Sequence, residues 1–298
     1  MAQGRPFGKR GRPWHMAAML MRHVHACNNA PSPAGLVPFR LGDQQVGWLA
    51  PELAQALTFH PAEFHFDAQG VAMAARLRSP AQRSDALARV GARLARQGFG
   101  RVRGELFDIR ATAEGPVLGT LDRGLVGQFG VIGQGVHLNG LVRRADGLHV
   151  WVGIRARDKK VAPGQLDNLV AGGIPAGLDA ERTLVKEAAE EASIPADLAA
   201  QARRAGRLSY VMANEEGLRR DVLHCFDLDL PEGWDPAPND DEVERFELWP
   251  AARLLAEVRE RDTVKFNVNL VLMDLFIREG LIPEGEAAAL RPALDQGP

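Results

Sequence analysis

A chain of 298 residues with 46% hydrophobic and 25% charged residues has an ordinary globular composition and is long enough for two modest domains. Its formal net charge of -2 argues against a dedicated nucleic-acid-binding protein, and no stretch approaches the roughly eighteen apolar residues of a membrane span. The two isolated cysteines, Cys27 and Cys225, lack metal-ligand spacing and indicate a reducing compartment without disulfides. We therefore expect a soluble, cytoplasmic protein without a nucleic-acid or membrane partner.

Residues 1–130 predict a basic tail followed by a small α+β domain. The first 42 residues contain six arginines and lysines and no acidic residue, and the apolar run at 16–21 is too short for a secretory signal. We expect a flexible tail over residues 1–16 and a folded domain over 17–130. The elements predicted from turn signals, capping residues and alternation are a hairpin over 37–49, strands near Phe64 and Val71, a helix over 79–97, and strands over 105–111 and 116–121.

The hydrophobic pattern changes near Gly130, and we assign residues 131–285 to a second domain and 286–298 to a C-terminal tail. Its strands and helices alternate along the chain, which is typical of an α/β fold. The predicted strands cover 136–142, 148–157, 208–212, 221–230 and 246–249, and the predicted helices beyond residue 200 cover 250–257 and 264–279.

Residues 166–195 carry the clearest chemical signal. Glu187, Glu190 and Glu191 are spaced so that a helix presents all three carboxylates on one side, within reach of one cation. Asp179 is a suitable N-cap and Pro195 a stop signal for this helix. Acid-rich helix faces are often only solvated. However, the preceding glycine-rich loop with Pro175 can approach a phosphate group closely, which favours a functional site.

This stretch resembles the Nudix box, in which a glycine precedes a spaced Glu, an Arg-Glu pair and a Glu-Glu pair. Gly172, the three glutamates and Ile194 fit the box in register. Three positions depart from it, because Leu178 replaces the first Glu, Lys186 the Arg and Ser193 the last Gly. With Leu178, the loop lacks the acidic side chain that usually braces it. Lys186 keeps the positive charge of the arginine but lacks its planar guanidinium group. Ser193 must adopt a turn that glycine makes more easily.

The departures themselves are similar to those of the thiamine pyrophosphokinase-related branch of the Nudix hydrolases. The strings DNLVAGGIPAG, TLVKE and EEASIP carry this resemblance, as do GVHLNGLV at 135–142, PGQLDN at 163–168 and the segment 264–283. The resemblance implies an α/β/α sandwich with a mixed sheet, preceded by a smaller α+β domain that positions the organic end of the substrate. It also implies Mg²⁺ or Mn²⁺ as cofactor, with Glu187, Glu190 and Glu191 as metal ligands and catalytic residues.

Further residues are candidates for substrate contacts. Gly172 and Gly173 would lie against the diphosphate, and Arg155 or Arg157, at a strand end, could reach its charge. For both arginines a solvated strand end is an equal alternative. Tyr210 is a candidate for stacking on a substrate ring, although a lone aromatic residue in a strand is more often in the core. Glu242 is a candidate for an additional catalytic acid, with an exposed loop acid as the alternative. We interpret Asp167 and Asn168 as turn residues.

The predicted function is metal-dependent hydrolysis of the diphosphate bond in a small organic diphosphate. By resemblance the substrate is thiamine diphosphate or an oxidised analogue, and the products are the monophosphate and orthophosphate. One alternative is a catalytically weakened domain that only binds a ligand, which Leu178 keeps open, and another is a hydrolase of a nucleoside diphosphate derivative. An isomerase on the same scaffold would need a cysteine in the pocket, which neither cysteine indicates. A homodimer is compatible with the sequence.

Overall fold

The computed structural model describes residues 13–30, 32–159, 161–295 and 297, so most of the predicted tail lies outside the described residues. The helices are α1 Pro13–Cys27, α2 Pro51–Leu57, α3 Pro80–Arg96, α4 Val126–Phe129, α5 Ala180–Ala192, α6 Ala196–Ala199, α7 Ala251–Glu260, α8 Val268–Arg278 and α9 Glu284–Leu294. The strands are β1 Val37–Leu41, β2 Gln44–Leu49, β3 Phe64–Asp67, β4 Gly70–Met73, β5 Leu106–Ile109, β6 Gly119–Asp122, β7 Ile132–Arg144, β8 Gly147–Arg155, β9 Leu166–Asp167, β10 Val170–Gly173, β11 Arg203–Asn214, β12 Gly217–Asp229 and β13 Val243–Pro250.

A seven-stranded mixed sheet forms the centre of the C-terminal domain. Its main order is β11-β12-β7-β8-β13, with β10 paired to β7 and β9 to β8. The pairing of β7 with β12 is parallel, whereas β7 pairs antiparallel with β8 and β10. Apolar residues of β7 and β8 point alternately to the two faces, so one face packs on α5 and α6 and the other on α1, α7, α8 and α9. The predicted α/β/α sandwich with a mixed sheet is therefore confirmed.

The smaller N-terminal domain combines a four-stranded sheet of order β2-β1-β4-β3 with a β5-β6 hairpin and the helices α2 and α3. Ser79 and Gln82 form a capping box at the start of α3, as the Ser79-Pro80 signal predicts. The buried face of α3, with Leu87, Val90 and Leu94, packs into the core of this domain. The prediction of a preceding α+β domain is confirmed.

The two chain ends differ from the prediction. The helix α1 begins at Pro13, inside the segment expected to be a tail, and α9 occupies most of the expected C-terminal tail. Both helices pack on the C-terminal domain, because Leu20, Val24 and Leu290 are buried in the same core as the sheet. The 3.6-residue spacing of the apolar face, not the length of an apolar run, decides this packing. In the described ranges, no helix is long and apolar enough to cross a membrane.

The last predicted long helix starts later than expected. Val264 forms a parallel bridge with Leu166, and the backbone N–H of Lys265 donates to the Leu166 carbonyl at 3.0 Å. These contacts hold the segment extended, so α8 begins only at Val268. The consequence is functional, because residues 265–267 line a cavity instead of belonging to a helix.

The Nudix-like helix α5 has the predicted ends. The Asp179 side chain accepts a hydrogen bond from the backbone N–H of Arg182 at 2.7 Å. At the other end Ser193 adopts a left-handed conformation with φ 53°, and the N–H of Ile194 donates to the Ala188 carbonyl at 3.0 Å. A non-glycine residue pays a conformational cost in this region.

We expect Ser193→Gly to stabilise the protein. Glycine adopts the left-handed conformation without the Cβ repulsion, so the free energy of unfolding should rise by about 1 kcal/mol and Tm by roughly 2–4 °C. Thermal unfolding followed by circular dichroism measures this shift. Ser193→Ala retains a Cβ and is the matched control. An equal rise in Tm for both variants would show that the left-handed backbone is not the cause.

Candidate active site

A cavity of about 440 Å³ lies between the N-terminal domain and the central sheet. Its volume is in the range of small-molecule binding sites. Among the described residues that line it, seven basic side chains outnumber four acidic ones, so the cavity favours an anion. The basic residues are Arg101, Arg103, Arg123, Arg155, Lys159, Arg219 and Lys265, and the acidic ones are Asp158, Glu216, Asp221 and Glu242.

The floor of the cavity is formed by β7 and β12, and glycines keep it open. A Cβ at Gly133 would lie 2.8 Å from Asp221 Oδ1, and a Cβ at Gly135 would lie 3.0 Å from the Gly172 carbonyl oxygen. Side chains at these two positions would fill the space above the strand. The alternation along β7 then brings His137 to the same face, across from Cys225 of β12.

Two of the three glutamates of α5, Glu187 and Glu191, lie beside the cavity wall that Ala171, Gly172 and Gly173 form. The Glu187 carboxyl group packs so closely on Gly172 that a Cβ there would be 2.5 Å from Glu187 Cδ. Glu191 is 8% exposed, and its Oε2 accepts a hydrogen bond from the backbone N–H of Ala171 at 3.0 Å. The missing side chain at Gly172 thus makes room for the carboxylate that the box pattern places opposite it.

Burial strongly affects these acids. It raises the pKa of Glu187, although Lys186 acts in the opposite direction. Burial raises the pKa of Glu191 well above its ordinary value, and nearby Asp167, Glu187 and Asp240 add to this effect. Both groups therefore lack sufficient positive charge around their ionised forms.

A cation already bridges two of the carboxylates. The Lys186 ammonium group donates to Glu187 Oε1 at 3.1 Å and also to Glu190. Carboxylate oxygens are the ligands that Mg²⁺ and Mn²⁺ prefer, and the buried acids lack counter-charge, so the chemistry of these donors suits a divalent cation. Their arrangement does not yet form a site, because no three His, Cys, Asp or Glu side chains in the described part of the chain are grouped so that they could hold a metal. The glutamates thus lie side by side without converging on one point.

The candidate arginines differ in their surroundings. Arg155 lines the cavity, but its Nη1 donates to Asp167 Oδ2 at 2.8 Å and its Nε to the Val161 carbonyl at 3.2 Å. Arg157 is exposed, 4.0 Å from Glu244, and does not line the cavity, as expected for a solvated strand end. Two of the nitrogens of Arg155 are therefore already engaged within the protein.

Glu242 lines the cavity but is not grouped with the glutamates of α5. Its carboxylate lies 3.6 Å from Arg155 Nη1 and 3.7 Å from Lys159 Nζ. Asp240 is the loop acid that acts electrostatically on Glu191. The loop after β12 therefore brings Glu242 to the cavity and Asp240 toward the glutamates. The spacing of acids in the sequence could not show which of the two would lie where.

The stacking role considered for Tyr210 does not fit the structure. Tyr210 is fully buried, its hydroxyl donates to Asp221, and its ring packs edge-on against Phe266 at 6.0 Å between centroids. Arg219 Nη2 donates to the same Asp221 Oδ2 at 2.5 Å. Tyr210 thus supports the cavity wall from behind, while Arg219 and Asp221, which the sequence analysis did not select, are part of the wall.

Asp167 and Asn168 are more than turn residues. Asp167 is buried and accepts from both Arg155 and Lys265, the latter at 2.9 Å. Burial opposes its ionisation, but the two cations outweigh that effect and hold its pKa below the usual value. Asn168 Oδ1 lies 2.9 Å from His137 Nδ1. In the sequence, these residues lie within the strings PGQLDN and GVHLNGLV, whose resemblance to the family could have identified them.

The N-terminal domain contributes directly to the site. The backbone N–H of Ala176, in the glycine-rich loop, donates to the Leu106 carbonyl of β5 at 2.7 Å. Phe107 packs on Gly173, where a Cβ would lie 2.4 Å from its ring. Arg101, Arg103 and Arg123 line the cavity from this domain. No catalytic residue was predicted in this domain, because these residues meet the site only in the tertiary structure.

Comparisons with known proteins agree with this geometry. The model of the NUDIX domain matches residues 135–267, and that of a domain of unknown function, DUF4743, matches residues 19–133. Nudix hydrolase 20, chloroplastic, of Arabidopsis thaliana is 34% identical over 270 residues, covering 87% of this chain and 72% of the relative. This chain belongs to the Nudix hydrolase family. Nudix hydrolase 24, chloroplastic, of the same plant is 34% identical over 267 residues, covering 88% of this chain and 73% of the relative.

Membership of this family indicates the class of reaction. This Nudix hydrolase is a pyrophosphohydrolase, and Nudix hydrolases generally use divalent metal ions. The two relatives are named as chloroplastic proteins, and the cytoplasmic location of this chain stays a prediction.

We expect Gly172→Ala to impair activity without unfolding the protein. The new methyl group would occupy the position of the Glu187 carboxyl group, which is the flexible end of a side chain and can move away. Displacing a catalytic group by about 1 Å can lower kcat by a factor on the order of ten to a hundred. Steady-state kinetics and Tm measure the two effects. Gly285→Ala is the matched control, because a Cβ there meets open space. A kcat equal to that of the unaltered enzyme would contradict this role of Gly172.

We expect Glu191→Gln to raise Tm in the presence of EDTA. A pKa that is raised in the folded state means that ionised Glu191 opposes folding near neutral pH, and the neutral amide removes that penalty while its oxygen still accepts from Ala171. Thermal unfolding of both proteins in EDTA measures the shift. The same variant should lose activity, so stability and activity change in opposite directions. A lower Tm would show that the buried charge is compensated.

Proposed function

We propose that this Nudix hydrolase uses Mg²⁺ or Mn²⁺ to cleave the diphosphate bond of a small organic diphosphate. We further propose thiamine diphosphate or one of its oxidised analogues as the substrate. The observation that carries the proposal is the basic cavity that directly adjoins the buried glutamates. A diphosphate needs positive charge around its oxygens, and the glutamates need a cation.

Glu187, Glu190 and Glu191 would hold the cation. The placement of the Lys186 ammonium group between Glu187 and Glu190 supports this assignment, because it occupies a position where positive charge is favourable. When bound, the metal would supply charge neutralisation at the diphosphate and activation of a water molecule. A glutamate of α5 or Glu242 in the cavity wall would serve as the proton acceptor of the reaction.

The arginines of the N-terminal domain are the main candidates for binding the phosphates. Arg155 and Lys265 are already paired with Asp167. By contrast, Arg103 forms one ion pair among the described residues, with Glu216 at 3.3 Å, and burial together with Arg101 lowers the pKa of Arg103. Arg101 has no ion-pair partner in the described ranges. A diphosphate would relieve this concentration of positive charge.

The glycine-rich loop supports an active enzyme over a ligand-binding module. The box position of the missing first Glu is Leu178, and loss of this acid would leave the loop without a brace. Here the N–H of Ala176 is bound to β5, and the N–H of Leu178 donates to the Pro175 carbonyl at 3.1 Å. The N-terminal domain therefore replaces the brace.

Orthophosphate release tests the proposed substrate. Thiamine diphosphate and its oxo and oxy analogues are followed by orthophosphate release, and ADP-ribose, which is cleaved to AMP and ribose 5-phosphate, is followed by AMP formation, each with and without Mg²⁺. We expect release only with the metal and the highest kcat/KM for a thiamine derivative. Preference for ADP-ribose would favour the nucleoside diphosphate alternative, and binding without turnover of any of them would favour a ligand-binding module.

We expect Glu190→Gln to lower kcat by a factor on the order of one hundred or more while the protein stays folded, because the amide is a much weaker ligand for a hard cation. The metal concentration for half-maximal activity should rise. Glu284→Gln, at an exposed acid of α9, is the control and should leave both values unchanged. Unchanged activity and metal dependence in Glu190→Gln would remove this residue from the metal site.

A further inference from the structure

His137 has a buried side chain on the cavity floor that the proposed chemistry does not use. A chain of hydrogen bonds fixes which of its nitrogens carries the proton. Asp227 accepts from Arg278 at 3.1 Å and is an acceptor only, so Asn139 must turn its NH₂ group to Asp227, at 2.9 Å. Asn139 Oδ1 then accepts from the NH₂ group of Asn168 at 2.8 Å. Asn168 therefore presents its oxygen to His137 Nδ1, which must be the donor at 2.9 Å.

The other nitrogen of His137 is consequently an acceptor. Burial and the nearby Lys265 lower the pKa of His137 to about 4, so the ring is neutral at pH 7 and carries its one proton on Nδ1. Nε2 has a free lone pair, and none of the described residues donates to it. A histidine that lines a cavity with one nitrogen fixed and the other unpaired is suited to accept a hydrogen bond from a ligand.

A second unpaired polar group lines the same cavity. The Asn267 side chain is 6% exposed and makes no hydrogen bond with the described residues, and its Oδ1 is buried without a partner. Although Asn267 precedes α8, its side chain does not cap the helix. A buried amide without partners is costly. The amide of Asn267 offers an N–H donor beside a carbonyl acceptor, so it matches the edge of a ligand that carries an acceptor beside a donor.

The surfaces around these two groups are apolar and planar in part. Gly133 and Gly135 add no side chain to the floor, and Leu223 of β12, opposite Gly135, contributes an apolar one. In the wall, the Arg219 guanidinium lies 5.5 Å from the centre of the Phe266 ring, which gives a planar polar and aromatic surface. A planar ring fits such a surface better than a flexible chain or a sugar.

We propose that this part of the cavity is a subsite for a flat nitrogen heterocycle at the organic end of the substrate. His137 Nε2 accepts a hydrogen bond from a ring N–H or an exocyclic amine, and the Asn267 amide binds a donor–acceptor edge. The proposal rests on the proposed function in that it assumes an organic diphosphate. It adds the place in the cavity where the organic part binds and the residues that select it.

The experiment measures binding in EDTA by calorimetry, so that the result does not depend on turnover. The probes are thiamine diphosphate, ADP and methyl diphosphate, which has no ring. We expect the unaltered protein to bind at least one heterocyclic diphosphate more tightly than methyl diphosphate. Lack of this preference would overturn the subsite. Tight binding without hydrolysis under Mg²⁺ would instead contradict the proposed function and leave the subsite standing.

Two substitutions of His137 separate ligand binding from a structural role. His137→Asn places an amide nitrogen near the Nδ1 position and keeps the bond to Asn168, but it has no atom at the Nε2 position. His137→Gln reaches the Nε2 position with an acceptor but gives up the bond to Asn168. We expect His137→Asn to weaken binding of the heterocyclic diphosphate about tenfold and His137→Gln to weaken it less, with methyl diphosphate unaffected in both. The reverse order would show that His137 acts only through the fold.

Asn267→Leu provides an independent test. The substitution keeps a similar volume and removes no helix cap, so the protein should remain folded, which Tm confirms. We expect weaker binding of the heterocyclic diphosphate by a factor of about ten and unchanged binding of methyl diphosphate. Equal losses for both probes, or no loss for either, would contradict the proposed contact.

Discussion

The structure of the site depends on two carboxylates that are buried beside a strand without enough positive charge around them. Glu187 lies against Gly172, and Glu191 accepts a single backbone hydrogen bond from Ala171. Burial raises the pKa of both groups, so the folded protein keeps them charged only at a cost that a bound cation would remove. The glycine at 172 makes room for the Glu187 carboxyl group, and the basic cavity lies on the other side of the same short strand.

The two domains form one functional unit. The glycine-rich loop is hydrogen-bonded to β5 through Ala176, Phe107 covers Gly173, and the cavity lies between both domains. In addition, α1, which precedes the N-terminal sheet in the chain, is buried in the core of the C-terminal domain. The N-terminal domain therefore braces the divergent loop and supplies arginines, which explains how the loss of the usual acid at Leu178 can be accommodated.

Pairing inside the protein decides which charged residues are available to a ligand. Asp167 pairs with both Arg155 and Lys265, so the positive charge of these two cations is less available to a ligand. Asp221 holds Arg219 in a fixed plane and accepts the Tyr210 hydroxyl. The chain of amides from Asp227 to His137 likewise fixes the proton of the His137 ring on Nδ1. Polar groups that are satisfied behind the wall leave a few unsatisfied groups facing the cavity, and in our proposal these groups select the ligand.

Local pattern alone determined much of the architecture. The spacing of Glu187, Glu190 and Glu191, the cap at Asp179 and the alternation of β7 and β8 predicted the helix, its limits and the strands, because helix periods, caps and strand alternation depend on neighbouring residues. The sandwich was implied by the resemblance to the Nudix hydrolases. The site was predicted only in part. Tyr210, a predicted substrate contact, is buried in the core. The cavity residues Arg101, Arg103, His137 and Asn267 were not predicted, because their positions depend on contacts between segments far apart in the chain. Which polar groups are paired and which are left free is decided when those segments pack, and only the tertiary structure contains that information.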